Sequence, residues 1–351
     1  MKEMKDKRAL AKSFDLATAS TAVLVAFGVQ IVFQMIFSLF SMPAKAFTWT
    51  IVILNQVIFA AVAFVFCKVK DVDPLAVTGA KRPPKWYFFP LFVLIAVCCV
   101  TCFAPLSGLF TRVLSKLGYD HRPNYFIPLN NGGLFALAFL ALTILPALGE
   151  ESMIRGVLMS GAKRKSPMFA VFFTALIFAL IHGNLNQLIH QFLLGAVAGY
   201  LAYLSGGIYA CAMVHITNNA MAMMLDYGFA NGFVNHNFYY YVAGEIGALP
   251  TIIGVSISLF ALVMLLICVT CLYHRERSKV KEYGYPGGKL GERINAYLIF
   301  LSTPDAASEE EAKAEQGTKK RLDGYTLLIT IVLVVVLASV VLLTLIPGGN
   351  G

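Results

Sequence analysis

One stretch of sequence decides how the fold of this chain is read: Leu134-Phe-Ala-Leu-Ala-Phe-Leu-Ala-Leu-Thr-Ile-Leu-Pro-Ala-Leu-Gly-Glu150-Glu151-Ser-Met-Ile-Arg155-Gly156. The apolar part is long enough to cross a membrane as a helix, yet it ends in two glutamates and an arginine. A charged side chain at the centre of a membrane helix costs about 2.5–3.5 kcal/mol on insertion scales, so such charges usually serve a function. Two carboxylates beside one arginine leave a carboxylate without a partner inside the helix, which is the first indication of chemistry.

The whole chain has the composition of a polytopic membrane protein. Of its 351 residues, 58% are hydrophobic and 13% are charged, whereas about a quarter of an average soluble domain is charged. Apolar runs of about 20 residues predict nine membrane spans. They lie near 17–41, 47–67, 87–110, 132–156, 168–186, 187–206, 208–226, 249–273 and 325–346. The predicted fold class is therefore all-α, a polytopic transmembrane helical bundle whose polar core is formed by spans four to seven.

Composition also divides the chain into five predicted segments. They are N-terminal transmembrane spans at 1–131, a helical core at 132–226, a loop and eighth span at 227–273, a cytoplasmic linker at 274–324, and a C-terminal span at 325–351. Within the linker, residues 290–302 are predicted to lie on the membrane surface. The sequence gives no role for this linker or for the last span.

The distribution of lysine and arginine predicts the orientation of the chain in the cell membrane. Basic residues gather at the N-terminus, after spans two, four and eight, and before span nine, whereas the loop 227–248 has none. The positive-inside rule then places the N-terminus in the cytoplasm and the C-terminus outside. Arg112, Lys116 and Arg122 run against this pattern. The net charge of +9 follows from this topology, and nucleic-acid binding is not expected because the basic residues do not form one face.

The spacing of polar residues in spans four and five predicts a shared site. Glu151 and Arg155 are four residues apart and are expected to pair, while Glu150 points about 100° away, toward other helices. Glu150 and His182 each lie 16 residues from a basic turn centred near residue 166. In an antiparallel hairpin this equal separation places both side chains at one depth, roughly 24 Å from the turn.

Span seven supplies two more candidates, His215 and Asn219, which share a helical face and can both donate a hydrogen bond to one oxygen. We expect Glu150, His182, His215 and Asn219 to converge within about 3–7 Å. Glu151 is expected to contact Arg155 or a backbone group rather than the histidines. His190 is expected to be a hydrogen-bonded packing residue.

The order and spacing of these motifs resemble those of the CAAX protease and bacteriocin-processing (CPBP, or ABI) family of intramembrane proteases, which includes the Ras-converting CAAX endopeptidases. The family pattern is Glu-Glu-x-x-x-Arg, then Phe-x-x-x-His, then His-x-x-x-Asn or Asp. It stands here as Glu150-Glu151-Ser-Met-Ile-Arg155, Phe178-Ala-Leu-Ile-His182 and His215-Ile-Thr-Asn-Asn219. The resemblance covers about 132–226 and makes this segment a CPBP-like catalytic core.

The resemblance implies an intramembrane endopeptidase that acts on membrane-associated or lipid-tethered proteins or peptides. Glu150 and His182 would activate a water molecule, and His215 and Asn219 would stabilise the oxyanion of the tetrahedral intermediate. Glu151, Arg155 and Phe178 would support these catalytic residues. Prenylated substrates are known for one branch of the family, and no feature of this sequence indicates recognition of a lipid group.

Metal dependence is left open by the resemblance, since family members are often described as metalloproteases while a metal-free glutamate mechanism is argued for the CAAX enzymes. The usual zinc spacing His-Glu-x-x-His is absent here, which favours a mechanism without a tightly held metal. If a divalent metal such as zinc is bound, its predicted ligands are Glu150, His182 and His215.

Two other classes of function remain as alternatives. In the first, the chain is a non-catalytic membrane scaffold or bacteriocin-immunity protein of the same fold. In the second it is an ion-coupled transporter in which Glu150 and His182 relay protons, although no inverted repeat of the kind common in transporters is found in the sequence. Expected partners are membrane lipids and a peptide or protein substrate, with or without a lipid group.

Overall fold

The computed structural model describes residues 15–81, 83–119, 132–163, 166–278 and 324–343. These residues form helices and short connections, and no β-strand occurs among them. The prediction of an all-α fold is confirmed. The linker's predicted surface helix at 290–302 lies outside the described residues.

Ten helices are numbered here in chain order within the described ranges. They are α1 (Leu16–Ser38), α2 (Ala44–Val69), α3 (Phe88–Lys116), α4 (132–162), α5 (Pro167–Ile181), α6 (Leu188–Ser205), α7 (Tyr209–Ala230), α8 (His236–Val242), α9 (Ala248–Ser278) and α10 (Gly324–Leu343). A helical turn at Pro74–Val77 precedes α3, and a 3₁₀ turn at Leu185–Gln187 leads into α6.

Each of the nine predicted spans coincides with a helix, and seven of these helices are long and apolar enough to cross a membrane. The two exceptions are the predicted spans 168–186 and 208–226. The first corresponds to α5, which has only 15 residues and is therefore about 22 Å long. The second corresponds to α7, in which the polar run from His215 to Asn219 lowers the hydropathy. The protein is a multi-pass membrane protein, with these two shorter or more polar helices inside the bundle.

Helix α4 is continuous but changes its helical type four times. Its α-helical pieces are Gly132–Phe139, Leu145–Glu151 and Met159–Ala162, and π-helical pieces at Leu140–Ile144 and Ser152–Leu158 separate them. Short π-helical segments within α-helices are rare and occur often at functional sites. The two glutamates lie on the α-helical piece between the two π-helical ones.

The bundle has two apolar clusters that meet at α6. One cluster joins α1, α2, the second half of α4, α5, α6 and α10, and the other joins α3, α6, α7 and α9. Helix α7 also packs directly on α4. The glutamates of α4 and the polar stripe of α7 therefore face each other where the two halves of the bundle meet.

The last helix, α10, is packed into the bundle. Its residues Leu333, Leu337 and Val341 are buried, and the helix contacts α1 and α5. Near its end, α10 reaches the turn that follows His182. A Cβ atom added to Gly183, which has a φ of +59°, would lie 3.3 Å from Cγ1 of Val340.

Candidate active site

Glu151 and Arg155 form a buried ion pair within α4. Nη1 of Arg155 donates to Oε1 of Glu151 at 2.9 Å, and both side chains are fully shielded from solvent. Nη2 of Arg155 donates to the Gly195 carbonyl of α6 at 3.0 Å. The pairing expected from the four-residue spacing is present, and the guanidinium also joins α4 to α6.

His215 of α7 lies between the two glutamates. Its Nδ1 donates to Oε1 of Glu151 at 2.9 Å, and its Nε2 lies 3.9 Å from Oε2 of Glu150. The expectation that Glu151 would not face a histidine is therefore wrong. The four-residue spacing predicted only Arg155 as a partner of Glu151. A carboxylate oxygen has two lone pairs, however, and Oε1 of Glu151 accepts from Arg155 and His215 together.

Glu150 is held by a residue of α2. Nε2 of Gln56 donates to Oε1 of Glu150 at 3.0 Å. Oε2 of Glu150 is buried and has no hydrogen-bond partner within the described part of the chain, and its 3.9 Å distance to His215 exceeds hydrogen-bond range. A buried acceptor left without a donor costs about 1–3 kcal/mol, so this oxygen needs a functional explanation.

His182 ends α5 and points one ring nitrogen back at its own helix. Nδ1 lies 2.7 Å from the Phe178 carbonyl, so Nδ1 carries a hydrogen and, in the neutral ring, Nε2 is the free acceptor. The ring of His182 packs on Phe178, which also contacts His215 and Arg155. The equal depth that counting from the turn predicted for Glu150 and His182 stays a prediction.

The ring of Phe178 stands at the centre of these groups. Its centroid lies 4.9 Å from that of His182, 5.5 Å from that of His215 and 4.5 Å from the guanidinium carbon of Arg155. Both histidines meet it edge-on, and the arginine contacts it as a cation on an aromatic ring. Phe178 thus fixes the spacing of the cluster through packing.

Asn219 is oriented by a chain of hydrogen bonds that crosses three helices. Its Nδ2 donates to the Leu142 carbonyl of α4 at 3.1 Å, which is available because the residue four positions later is Pro146 and has no N–H. Its Oδ1 accepts from Nδ2 of Asn218 at 3.1 Å, and Oδ1 of Asn218 accepts from Nε2 of His190 at 3.0 Å. The hydrogen bond of His190 fits its interpretation as a hydrogen-bonded packing residue, although spacing within one helix did not show that its partner lies on another.

Sequence reasoning did not find Gln56, Asn218 or His190 as parts of this cluster. A signal existed for Gln56, since carboxamides within apolar spans usually bond to neighbouring helices. That signal did not show which residue Gln56 contacts, because Gln56 and Glu150 are 94 residues apart in the sequence.

The donor atoms were compared with the needs of a metal ion. Among the residues that the structure describes, no group of three His, Cys, Asp or Glu side chains is arranged to hold a metal. Of the predicted ligands, Glu150 already accepts from Gln56, and both histidines use Nδ1 in other hydrogen bonds. Metal-ligating histidines make such Nδ1 hydrogen bonds too, so metal dependence stays a prediction.

The fold and the cluster define a class of protein: a multi-pass helical membrane protein in which two buried glutamates contact a buried histidine and a buried arginine. Residues 132–221 match the family model described as Rce1-like, type II CAAX prenyl endopeptidase Rce1-like. The match spans 90 of the 351 residues, from the start of α4 into α7, and includes all three motifs. The CAAX protease family predicted from the motifs is thereby confirmed over this segment. Comparisons with curated proteins and with solved structures gave no significant match.

Proposed function

We propose that this protein is a membrane-embedded endopeptidase that hydrolyses peptide bonds of membrane-associated or lipid-tethered proteins or peptides. The observation that carries the proposal is the position of Oε2 of Glu150. Oε2 of Glu150 and Oε2 of Glu151 are both buried without a hydrogen bond within the described residues, and that of Glu150 lies 3.9 Å from Nε2 of His215. Such an oxygen is poised to take a proton. The family description supports a substrate with a prenylated C-terminus as the first class to test.

Water activation is assigned to Glu150 and His182. In the proposed step, Oε2 of Glu150 accepts a proton from the attacking water while the water oxygen forms a bond to the scissile carbonyl carbon. His182 assists through Nε2, which is the free acceptor of its ring because Nδ1 is bonded to the Phe178 carbonyl. A positioned general base contributes typically about 100- to 10 000-fold to a rate.

Oxyanion stabilisation is assigned to His215 and Asn219. The carboxamide of Asn219 has two N–H hydrogens, of which one is used on the Leu142 carbonyl, so the second is available to the oxyanion. Glu151 holds Nδ1 of His215, which turns Nε2 toward the space beside Glu150. Arg155 balances the charge of Glu151 and joins the pair to α6 and Phe178.

The test is cleavage of membrane-tethered peptides, with and without a C-terminal prenyl group, by purified protein in liposomes. Glu150→Gln is expected to lower kcat by about 100- to 10 000-fold. Glu245→Gln, at an exposed acid of a connecting loop, serves as the matched control and is expected to retain activity. A comparison of protein N-termini between cells carrying the wild type and Glu150→Gln identifies the natural substrates.

Each alternative predicts a different result in these experiments. Full biological activity of Glu150→Gln would identify a scaffold or immunity role, and proton-coupled uptake without cleavage would identify a transporter. If a folded Glu151→Gln variant is inactive while Glu150→Gln is active, the roles of the two glutamates are reversed. Loss of activity in a chelator, with recovery on adding zinc, would contradict the metal-free mechanism.

We also propose that the N-terminus lies in the cytoplasm and the C-terminus outside. The charge pattern supports this orientation. The ion pair between Lys85, before α3, and Glu276, near the end of α9, supports placing these two helix ends on the same side. That pair lies between two loops predicted to share the cytoplasmic side. Reporter enzymes that are active on one side of the membrane, fused to each terminus, test the proposal.

A further inference from the structure

We propose that Gln56 of α2 is a positioning residue for Glu150, which it holds so that Oε2 is the oxygen left to take a proton. The inference rests on the proposed function, because it gives Gln56 a role only if Glu150 acts as the base. Gln56 lies outside the segment 132–221 that matches the protease family. It would thus add a residue from the N-terminal spans to the machinery of the core.

The hydrogen-bond pattern of Glu150 is asymmetric. Nε2 of Gln56 donates to Oε1 at 3.0 Å, whereas Oε2 receives no hydrogen bond within the described ranges. A carboxylate anchored at one oxygen cannot exchange its two oxygens by rotation without losing that bond. Because the two oxygens are equivalent, Gln56 fixes the plane of the carboxylate, so that one oxygen accepts from Gln56 and the other faces His215.

The backbone beside Glu150 allows α2 to come this close. A Cβ atom added to Gly149 would lie 2.5 Å from the carbonyl oxygen of Gln56, so any larger residue at position 149 would push the two helices apart. Gly149, which immediately precedes Glu150, thus permits the hydrogen bond between Gln56 and Glu150.

A purely structural role for Gln56 predicts a different outcome from a positioning role. A carboxamide that only joins two helices would affect the stability of the protein and would leave the catalytic rate of the folded fraction unchanged. A positioning residue affects kcat while KM and folding change little. Comparing the change in kcat with the change in stability therefore distinguishes a positioning role from a structural one.

The experiment compares kcat and KM of four proteins in liposomes: wild type, Glu150→Gln, Gln56→Met and Asn55→Leu. Gln56→Met keeps the length of the side chain and removes the donor, and we expect kcat to fall about 10- to 100-fold, equivalent to one hydrogen bond to a charged group. Asn55→Leu removes the neighbouring carboxamide, whose Oδ1 has no partner in the described structure, and is expected to stay within about twofold of wild type. Gln56→Asn, whose carboxamide is one methylene short of the contact, is expected to show the same loss and replaces the Met variant if that variant folds poorly.

The outcomes separate this inference from the proposed function. If Glu150→Gln is inactive while folded Gln56→Met or Gln56→Asn retains wild-type kcat, the positioning role is wrong and the proposed function stands. If Glu150→Gln is active, the proposed function itself falls. A rise in KM at unchanged kcat, or equal losses of kcat in Gln56→Met and Asn55→Leu, would also overturn the positioning role.

Discussion

Helices α4 and α9 are both about 30 residues long and apolar, yet the protein uses them differently. In α9, 11% of the most apolar window is buried, compared with 39% in α4. Helix α9 is a regular α-helix whose large side chains, such as Ile257 and Phe260, are mostly exposed and so face lipid. Helix α4 contains two π-helical segments and places Glu150, Glu151 and Arg155 among other helices.

The comparison shows that hydropathy alone does not distinguish a span that contacts lipid from one that carries a site. What separates them is buried charge and irregular backbone geometry at the same place. In α4 the charges are tolerated because other helices supply donors and acceptors: Gln56 from α2, the Gly195 carbonyl from α6 and His215 from α7.

The largest effect is expected when the buried carboxylate of Glu151 loses its arginine partner. Arg155→Met leaves Glu151 buried and without its arginine, which should lower the free energy of unfolding by about 3–5 kcal/mol. Thermal unfolding in detergent measures this loss. The double variant Glu151→Gln/Arg155→Met removes both charges and should recover much of it; no recovery would mean that the pair acts through packing and not through charge.

The next largest effect concerns the contact between α7 and α4. Asn219→Ala removes one proposed oxyanion donor, and kcat should fall by about 100- to 1000-fold with a small change in KM. Steady-state kinetics on a tethered peptide check this. A change confined to KM would show that Asn219 binds the substrate and does not stabilise the transition state.

A smaller effect is expected for His190, which acts on Asn219 only through Asn218. His190→Phe removes the donor to Asn218 and loosens the orientation of Asn219, so kcat should fall by roughly tenfold, about the value of one hydrogen bond. His190→Gln can supply a donor again and is expected to restore part of the rate. Equal rates for the Phe and Gln variants would favour the packing interpretation of His190.

The smallest effect is expected on α9. Ile257→Ala shortens a lipid-facing side chain, so stability should change by less than about 0.5 kcal/mol and kcat by less than about twofold. The same unfolding and kinetic measurements apply. A tenfold loss of kcat would show that α9 contributes to the site, and the contrast with α4 would no longer hold.

Much of the fold was predictable because the membrane imposes a strong constraint: apolar runs have to form helices. Each of the nine predicted runs coincides with a helix of the described residues, and seven of these helices are long and apolar enough to span a membrane. The Glu151–Arg155 pair followed from helical spacing. The 3.9 Å separation of Glu150 and His215 lies within the predicted 3–7 Å, but spacing within each helix did not determine how these two helices meet. The catalytic roles of these residues remain predictions.

The other parts of the site depend on partners that lie far apart in the chain. Gln56 sits in an ordinary apolar span, and the bond from His190 to Asn218 joins residues of two different helices. The π-helical segments of α4 have no simple sequence signature, although Pro146 explains the free carbonyl of Leu142. Periodicity shows which face of a helix a residue occupies, but it does not show which residue of another helix meets that face.

The contact between His215 and Glu151 has a consequence for the number of protons in the site. A neutral imidazole has one N–H, and here Nδ1 uses it on Glu151. Nε2 can therefore donate to an oxyanion only when the ring carries both hydrogens. In that form the charges of Glu150, Glu151, Arg155 and His215 sum to zero, so the form able to stabilise the oxyanion is also the electrically balanced one.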